Sequence, residues 1–392
     1  MSKILIATPH LNSGGVEVSM LRFLNELIKN KENKVELLLL KKEGLYVNNI
    51  PEDIPVNIVS YDDDIYNYNY EIKDVRNIDG IMRKIKFFFY RLKLKMALNK
   101  NAWSRYYDII LKHVVPIRNE YDLVIDWHGY GHFLTSVVAC KTVSKKKVMW
   151  IHDEKNEWID KVIPWMEKFD KIFCVGVACK NNVLKNYPNL KQKVDVFYNM
   201  TDYKNVREKS LEKIDINYDE NKINLVTIGR LEWQKGYDVA IMIAKKLKDK
   251  GFNFCWYAIG GGHQKTEIEN MIEDNNLGDC FKLLGIKKNP YPYVKKADYF
   301  VLSSRHEGYC LATLEAKILG KIIIATDIES NREQIKNGIN GFLCELNPEI
   351  FANTIIKVSK DEKTRKKIVK NLEKENFDYT SEFKKLYKLL EE

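Results

Sequence analysis

Several things are missing from this chain of 392 residues. No window approaches eighteen consecutive apolar residues, which excludes an evident membrane-spanning helix. The opening "MSKILIATPHLNSGG" runs straight into a strand-like segment without the apolar core of a signal peptide, so a cytoplasmic location is expected. No Cys-x-x-Cys pair occurs. The seven cysteines (Cys140, Cys174, Cys179, Cys255, Cys280, Cys310 and Cys344) are odd in number and scattered, mostly in apolar runs. They read as small buried hydrophobes in a reducing compartment, not as a disulfide framework. The triple glycine Gly260–Gly262 lacks the Gly-Lys-Ser/Thr ending of a P-loop. No carboxylate cluster has metal-ligand spacing, and the glycines between His128 and His132 argue against a two-histidine zinc helix, so no metal is expected.

What is present is a globular composition, 45% hydrophobic, in a chain long enough for two or three domains with substantial cores. The net charge of +10 calls for anionic partners: nucleic acid, a membrane surface or phosphorylated small molecules. Part of it is concentrated in Arg83 to Lys100, "RKIKFFFYRLKLKMALNK", with seven basic residues and no acidic one. Ile85, Phe88, Phe89, Leu92 and Met96 fall at helical spacing there, the pattern of a basic amphipathic helix. It fits either a core helix with a solvated lysine face or a membrane-surface helix. The acidic, tyrosine-rich "YDDDIYNYNYEIKDV" nearby reads as an exposed loop.

Short apolar strands alternate with amphipathic helices along the whole chain: "KILIATPHL", "KVELLLL", "YDLVIDWHG", "KKVMWIHD" and "FDKIFCVGV", then "INLVTIGRL", "FNFCWYAIGGG", "FKLLGI", "ADYFVLSS", "GKIIIATD" and "GFLCE". That rhythm predicts parallel sheets covered on both faces, an α/β class. The pattern lapses into polar sequence read as structureless at "VDVFYNMTDYKNVREKS", placing a boundary near Asn199 to Asn221. Two doubly wound, Rossmann-like domains are expected, 1–200 and 201–377, facing each other across a cleft. Such sheets bind ligands at the carboxyl ends of their strands. The final helix, 378–392, is expected to join the first domain.

The second half carries phosphate chemistry. Arg230 and Lys235 lie five residues apart in the loop after "NLVTIG", where a forked guanidinium and an ammonium can grip a diphosphate; a solvated basic turn is the plainer alternative. "YFVLSS" is followed by the loop "RHEG" and the helical "YCLATLEAKIL", closed by Gly320. The helix start at Tyr309 to Leu311 offers free N–H groups and a partial positive charge. Glu307 precedes that end. Glu315 sits about 7.5 Å along the axis with its side chain leaning back toward it. Both carboxylates would be repelled by phosphate, so each is expected to accept from neutral hydroxyls of a sugar or ribose. His306 is read as loop packing.

These residues closely resemble the retaining glycosyltransferases of family four, which have the two-domain GT-B architecture. The matches are "GRLEWQKGYD", "AIGGG", "LLGIKKNPYPYVKKADYFVLSSRHEGYCLATLEAKILGK", "IIIATDIESNREQIKNGINGFL" and "FDYTSEFKKLYKLL", with the Glu-x7-Glu hallmark at Glu307 and Glu315. "NSGGVE", "WIHDE" and "FYNMTD" extend the likeness to the first half. The resemblance implies that Arg230 and Lys235 hold the donor diphosphate, Glu307 the donor sugar and Glu315 the ribose. It implies backbone contacts to donor phosphates or sugar from Gly308, Tyr309, Cys310 and Leu311, from Gly14 and Gly15, and from the Gly260 turn. Ile286, Lys287 and Asn289 would bracket the base, and His152 would lie near donor sugar and acceptor. "DIESNREQ" departs from the family's usual Gly-Gly, leaving the sugar side less defined.

By the same resemblance the expected reaction is metal- and cofactor-independent, configuration-retaining transfer from a nucleoside diphosphate sugar, by family frequency a UDP-sugar. The acceptor would be a glycan, lipid-linked, in bacterial surface polysaccharide, capsule or glycoconjugate synthesis. Nucleic acid is not an expected partner. Lipid-linked acceptors give Arg83, Lys84, Lys86, Arg91, Lys93 and Lys95 a role in docking at the inner face of the cell membrane. The alternatives are a sugar-nucleotide epimerase of the same architecture and a catalytically silent partner of another transferase.

Overall fold

Thirteen short apolar runs become strands, and the stretches between them become the helices that cover two parallel sheets. The computed structural model describes residues 2–12, 14–68, 78–129, 131–155, 157–378 and 380–391. Positions 69–75 of the tyrosine-rich stretch, Ser13 and Tyr130 of their glycine motifs, and positions 379 and 392 of the expected last helix lie outside the described residues. The chain divides into two units: residues 1–175, 179–198 and 382–392 form one, and residues 176–178 and 199–381 the other.

In the first unit the order is β1 (Ser2–Thr8), α1 (Gly15–Leu27), β2 (Asn33–Leu39), β3 (Val56–Ile58), α2 (Ile81–Asn99), α3 (Trp103–Leu111), β4 (Ile117–Asp126), α4 (Phe133–Lys141), β5 (Thr142–Ile151), α5 (Ile163–Met166), β6 (Lys171–Cys174), α6 (Val177–Asn186) and β7 (Val194–Val196). The seven strands pair in parallel in the order β3-β2-β1-β4-β5-β6-β7. Strands β1 and β4 are adjacent, with Ile4 opposite Leu123 and Ala7 opposite Asp126, and the winding reverses between them. Their carboxyl ends therefore open onto the sheet's switch point, where a crevice forms because the two connections leave in opposite directions.

The second unit contains α7 (Tyr203–Lys209), β8 (Ile223–Ile228), α8 (Tyr237–Asp249), β9 (Phe254–Ile259), α9 (Lys265–Asp274), β10 (Phe281–Leu283), α10 (Tyr291–Lys296), β11 (Tyr299–Leu302), α11 (Leu311–Ile318), β12 (Ile322–Thr326), α12 (Glu329–Gln334), β13 (Gly341–Cys344), α13 (Pro348–Lys360) and α14 (Glu362–Glu373). Its six strands run parallel in the order β10-β9-β8-β11-β12-β13, so β8 and β11 flank the switch point. The last helix, α15 (Phe383–Glu391), returns to the first unit. There Phe383 stacks on Phe23 at 5.1 Å, and Lys385 Nζ donates to the Val196 carbonyl at 2.7 Å.

One detail differs from the sequence reading and a second settles what it left open. The stretch read as structureless contains β7 and α7. Helix α7 is short and buries only Val206, too little apolar periodicity to register, but Asp202 caps it by accepting from the Asn205 N–H at 3.0 Å. Helix α2, whose burial the sequence left open, buries Phe87, Tyr90, Leu94 and Ala97. The stripe of Ile85, Phe88, Phe89, Leu92 and Met96 faces outward, Phe88 being 64% exposed. No described helix is long and apolar enough to cross a membrane.

Candidate functional site

At the second unit's switch point, the exits of β8 and β11 are tied together. Arg305 N–H donates to the Gln234 carbonyl at 2.8 Å, Gln234 Nε2 to the His306 carbonyl at 3.0 Å, and Ser303 Oγ to the Gly236 carbonyl at 2.8 Å. Arg305 adds a two-pronged bond to Asp238 at 2.8 and 2.6 Å and lies 4.6 Å over the Trp233 ring. Gly236 has φ +64°, and a side chain there would meet the Ser303 carbonyl oxygen at 2.1 Å, so the turn closes this tightly only with glycine.

The effect of these ties is to bring Lys235 to Glu307. The ammonium donates to both carboxylate oxygens, at 2.7 and 2.9 Å, with side-chain exposures of 16% and 6%. Burial pulls the Lys235 pKa down, but the adjacent Glu307 charge more than offsets it and the ammonium ends above its ordinary value. Lys235 is thus a held cation. Arg230, 49% exposed, pairs with Glu232 at 3.0 Å and can swing without breaking a buried contact.

Helix α11 starts beside this pair. Cys310 is its cap residue, and its carbonyl is held by Gln334 Nε2 at 3.2 Å. Glu315 is buried, and the Tyr291 hydroxyl donates to its Oε1 at 3.2 Å. The structure therefore brings Arg230, Lys235, Glu307, Gly308, Tyr309, Cys310, Leu311 and Glu315 to the carboxyl ends of β8 and β11. The base-side residues stand differently. Lys287 pairs with Asp215 at 2.5 Å and Asn289 donates to the Lys209 carbonyl at 2.9 Å, so these two side chains brace the loop. Gly260 gives its N–H to the Gly285 carbonyl at 2.9 Å, joining the β9 and β10 exits. Tyr291 and Arg305 were missed by sequence reasoning, although both lie within the quoted motifs.

In the first unit the switch point holds histidines. His152, at the end of β5, donates from Nε2 to the Trp127 carbonyl at 2.8 Å. Burial drives its pKa down to about 4. His128 shares a 2.9 Å hydrogen bond with Thr8 Oγ1; burial, with the neighbouring histidines adding to it, puts its pKa well below the usual value. His132 is likewise lowered to about 4, burial being the main cause. Buried Asp126 at the end of β4 is pushed up to about 7 by burial. Glu17 Oε1 lies 3.8 Å from His10 Nδ1 and 3.9 Å from His128 Nε2. Its other oxygen would lie 2.5 Å from a Cβ at Gly14, so the start of α1 with Gly14 and Gly15 sits directly against this carboxylate. Glu17 and His128 carried no role in the sequence reading because the approach of Glu17 to His128, and of His128 to Thr8, joins positions over a hundred residues apart. Among the described residues no group of three His, Cys, Asp or Glu side chains has metal-holding geometry.

Comparison with known proteins fits the second unit. Residues 207–375 match the family of Glycosyl transferases group 1. The match lies within the second unit and takes in Arg230, Lys235, Glu307 and Glu315. It is similar to an uncharacterized glycosyltransferase of Methanocaldococcus jannaschii, 32% identical over 206 residues, 52% of this chain and 53% of that one. It is also similar to the N-acetylgalactosamine-N,N'-diacetylbacillosaminyl-diphospho-undecaprenol 4-alpha-N-acetylgalactosaminyltransferase of Campylobacter jejuni, 27% identical over 213 residues, 54% of this chain and 56% of that one. The chain spans about half the length of these curated relatives. Among solved structures, Anabaena Alr3699/HepE in complex with UDP-glucose superposes with a TM-score of 0.70 at 15% identity, covering 100% of both chains. That is a likeness of fold: two parallel α/β sheets, GT-B-like.

Proposed function

We propose that the protein transfers a sugar, with retention of configuration, from a UDP-sugar to a lipid-linked glycan acceptor in surface polysaccharide or glycoconjugate synthesis. The observation that carries the reading is the buried Lys235–Glu307 pair beside the start of α11. On this reading the donor diphosphate takes the Lys235 ammonium and is joined by Arg230 and by the positive end of α11 at Leu311. These groups offset the charge that grows on the leaving diphosphate. Glu307, released from Lys235, accepts from the donor sugar's hydroxyls. Glu315, oriented by Tyr291, accepts from the ribose. In the first unit, neutral His152 is assigned to the sugar side; with Nε2–H given to Trp127, its Nδ1 carries the lone pair.

The acceptor class is supported by the Campylobacter jejuni relative, whose name specifies a diphospho-undecaprenol acceptor. Helix α2 supports a membrane station. Its outward stripe is flanked by exposed Lys84, Lys86, Lys93 and Lys95, while Arg83 pairs with Asp63 and Arg91 lies 5.9 Å over Phe87. Each lysine near an anionic surface contributes about 1 kcal/mol. Sedimentation with anionic vesicles should pull down the wild type, and reversing these lysines to glutamate should abolish it; unchanged binding ends the membrane assignment.

The reading as a whole is tested by incubating the purified protein with UDP-sugars and a diphosphate-linked lipid glycan. Donor consumption that depends on acceptor supports it. Donor isomerised without acceptor would replace it with epimerisation.

A further inference from the structure

The first unit carries a second cluster of side chains that the donor chemistry does not use. A 3₁₀ turn, Glu157–Lys161, follows β5 and places Trp158 and Lys161 three residues apart, the spacing that aligns side chains on one edge of such a turn. Lys161 Nζ lies 4.3 Å from the centre of the Trp158 ring and 4.0 Å from that of Trp103, the first residue of α3. The ammonium is held between two indoles. Among the described residues it has no carboxylate partner, and Asp160 beside it accepts from the Tyr187 hydroxyl at 2.5 Å instead. Burial lowers the Lys161 pKa.

Trp158 is 55% exposed. Its main chain packs closely on Gly131: a Cβ there, where φ is +88°, would lie 2.5 Å from the Trp158 carbonyl oxygen, and the Tyr107 hydroxyl donates to the Gly131 carbonyl at 2.7 Å. The cluster adjoins the histidines. His132 follows Gly131 and feels the Lys161 charge, its ring centre is 5.6 Å from that of His128, and His128 is 6.2 Å from His152.

A cation between two aromatic faces is attracted by the negative face of each ring, which keeps the charge in place while its N–H groups can still donate. An exposed indole beside it offers a flat apolar face of the kind a pyranose ring covers with its C–H bonds. We infer that Trp158, Lys161 and Trp103 form an acceptor subsite that takes a pyranose bearing a phosphate or diphosphate, the ring on Trp158 and the anion on Lys161. This rests on the proposed transferase reading and names the acceptor side of it. The end of α2 at Asn99 and the start of α3 at Trp103 are joined by a short turn, so a lipid-anchored sugar diphosphate and the apolar stripe of α2 would meet two successive helices.

The test uses the full chain and N-acetylglucosamine 1-phosphate as probe, followed by saturation-transfer NMR and calorimetry, with N-acetylglucosamine and inorganic phosphate as separate arms. UDP binding is measured in the same samples, so a fold defect or a failure of the donor reading shows independently. The wild type should bind the sugar phosphate at least tenfold tighter than either part alone. W158A should lose the saturation of the ring protons, K161Q should weaken binding at least tenfold, and K161R should restore most of it, all with UDP affinity unchanged. Equal binding by wild type, W158A and K161Q, or inorganic phosphate binding as tightly as the sugar phosphate, would overturn the inference.

Discussion

The two units have the same topology around their switch points and opposite electrostatics within them. In the second, β8 and β11 open onto a cation and a carboxylate that neutralise one another in a buried pair. In the first, β1 and β4 open onto imidazoles that burial keeps neutral, the pKa values of His132 and His152 being lowered to about 4. A parallel sheet dictates where a crevice forms; the loop residues dictate whether it stores charge or excludes it. A diphosphate needs stored positive charge. A hydroxyl nucleophile and an uncharged sugar face need a neutral, polar wall.

The comparison breaks most sharply at Lys235. Lys235→Met leaves the Glu307 carboxylate buried without its cation, which should cost about 3–5 kcal/mol of stability by denaturant unfolding. Adding Glu307→Gln should recover most of that loss without recovering turnover. An equal cost in single and double variants would mean the pair is not coupled.

Glu307→Gln alone separates charge storage from chemistry. It frees Lys235 for phosphate, so UDP affinity should hold or rise while turnover falls by about 100-fold or more, an effect on kcat more than on binding. Turnover within threefold of wild type would remove Glu307 from the reaction.

The first unit's contrast is sharpened by pH. His132 and His152 have folded pKa values of about 4 against an ordinary 6.5, so between those limits the unfolded chain binds protons the fold does not. Their neutral burial is fully tolerated above about pH 6.5, and stability is lost as pH falls toward 4. Asp126, raised to about 7, acts in the opposite sense, favouring the fold at acid pH and opposing it as pH rises from about 4 through 7. His132→Gln should therefore reduce acid sensitivity by roughly 1–3 kcal/mol in melting curves, and Asp126→Asn should raise Tm at pH 8 more than at pH 4.

A smaller effect is expected at Arg305, whose side chain braces the Lys235 turn through Trp233 and Asp238. Arg305→Ala should cost about 1–2 kcal/mol of stability and weaken UDP binding several-fold, with Arg305→Lys restoring part of both. A variant that unfolds as wild type does would show the tie to Asp238 to be idle.

Much of the second unit was legible because its chemistry is local: the loop and helix that carry Glu307 and Glu315 are contiguous, and "YFVLSS" announces the strand that aims them. The partners were less legible. Lys235 and Glu307 are 72 positions apart, and their direct pairing follows from the β8–β11 register rather than from any motif. The Trp103–Lys161–Trp158 cluster was invisible for the same reason, its only local trace being a tryptophan three residues before a lysine. Helix α2 shows the limit of periodicity. Its apolar residues fill two faces, so spacing alone could not say which face the α3 side would bury. For α7 the cap at Asp202 was a readable signal that a weak apolar pattern obscured.

The central claim, that the second unit's switch point holds a nucleoside diphosphate through its positive charge, is met most directly by titrating UDP and uridine into wild type and Arg230→Ala. Arg230 is half-exposed, so the variant should keep the wild-type fold. UDP affinity should fall about 10- to 100-fold, roughly 1.4–2.7 kcal/mol, with uridine affinity unchanged. UDP binding the variant as tightly as it binds wild type would contradict the account.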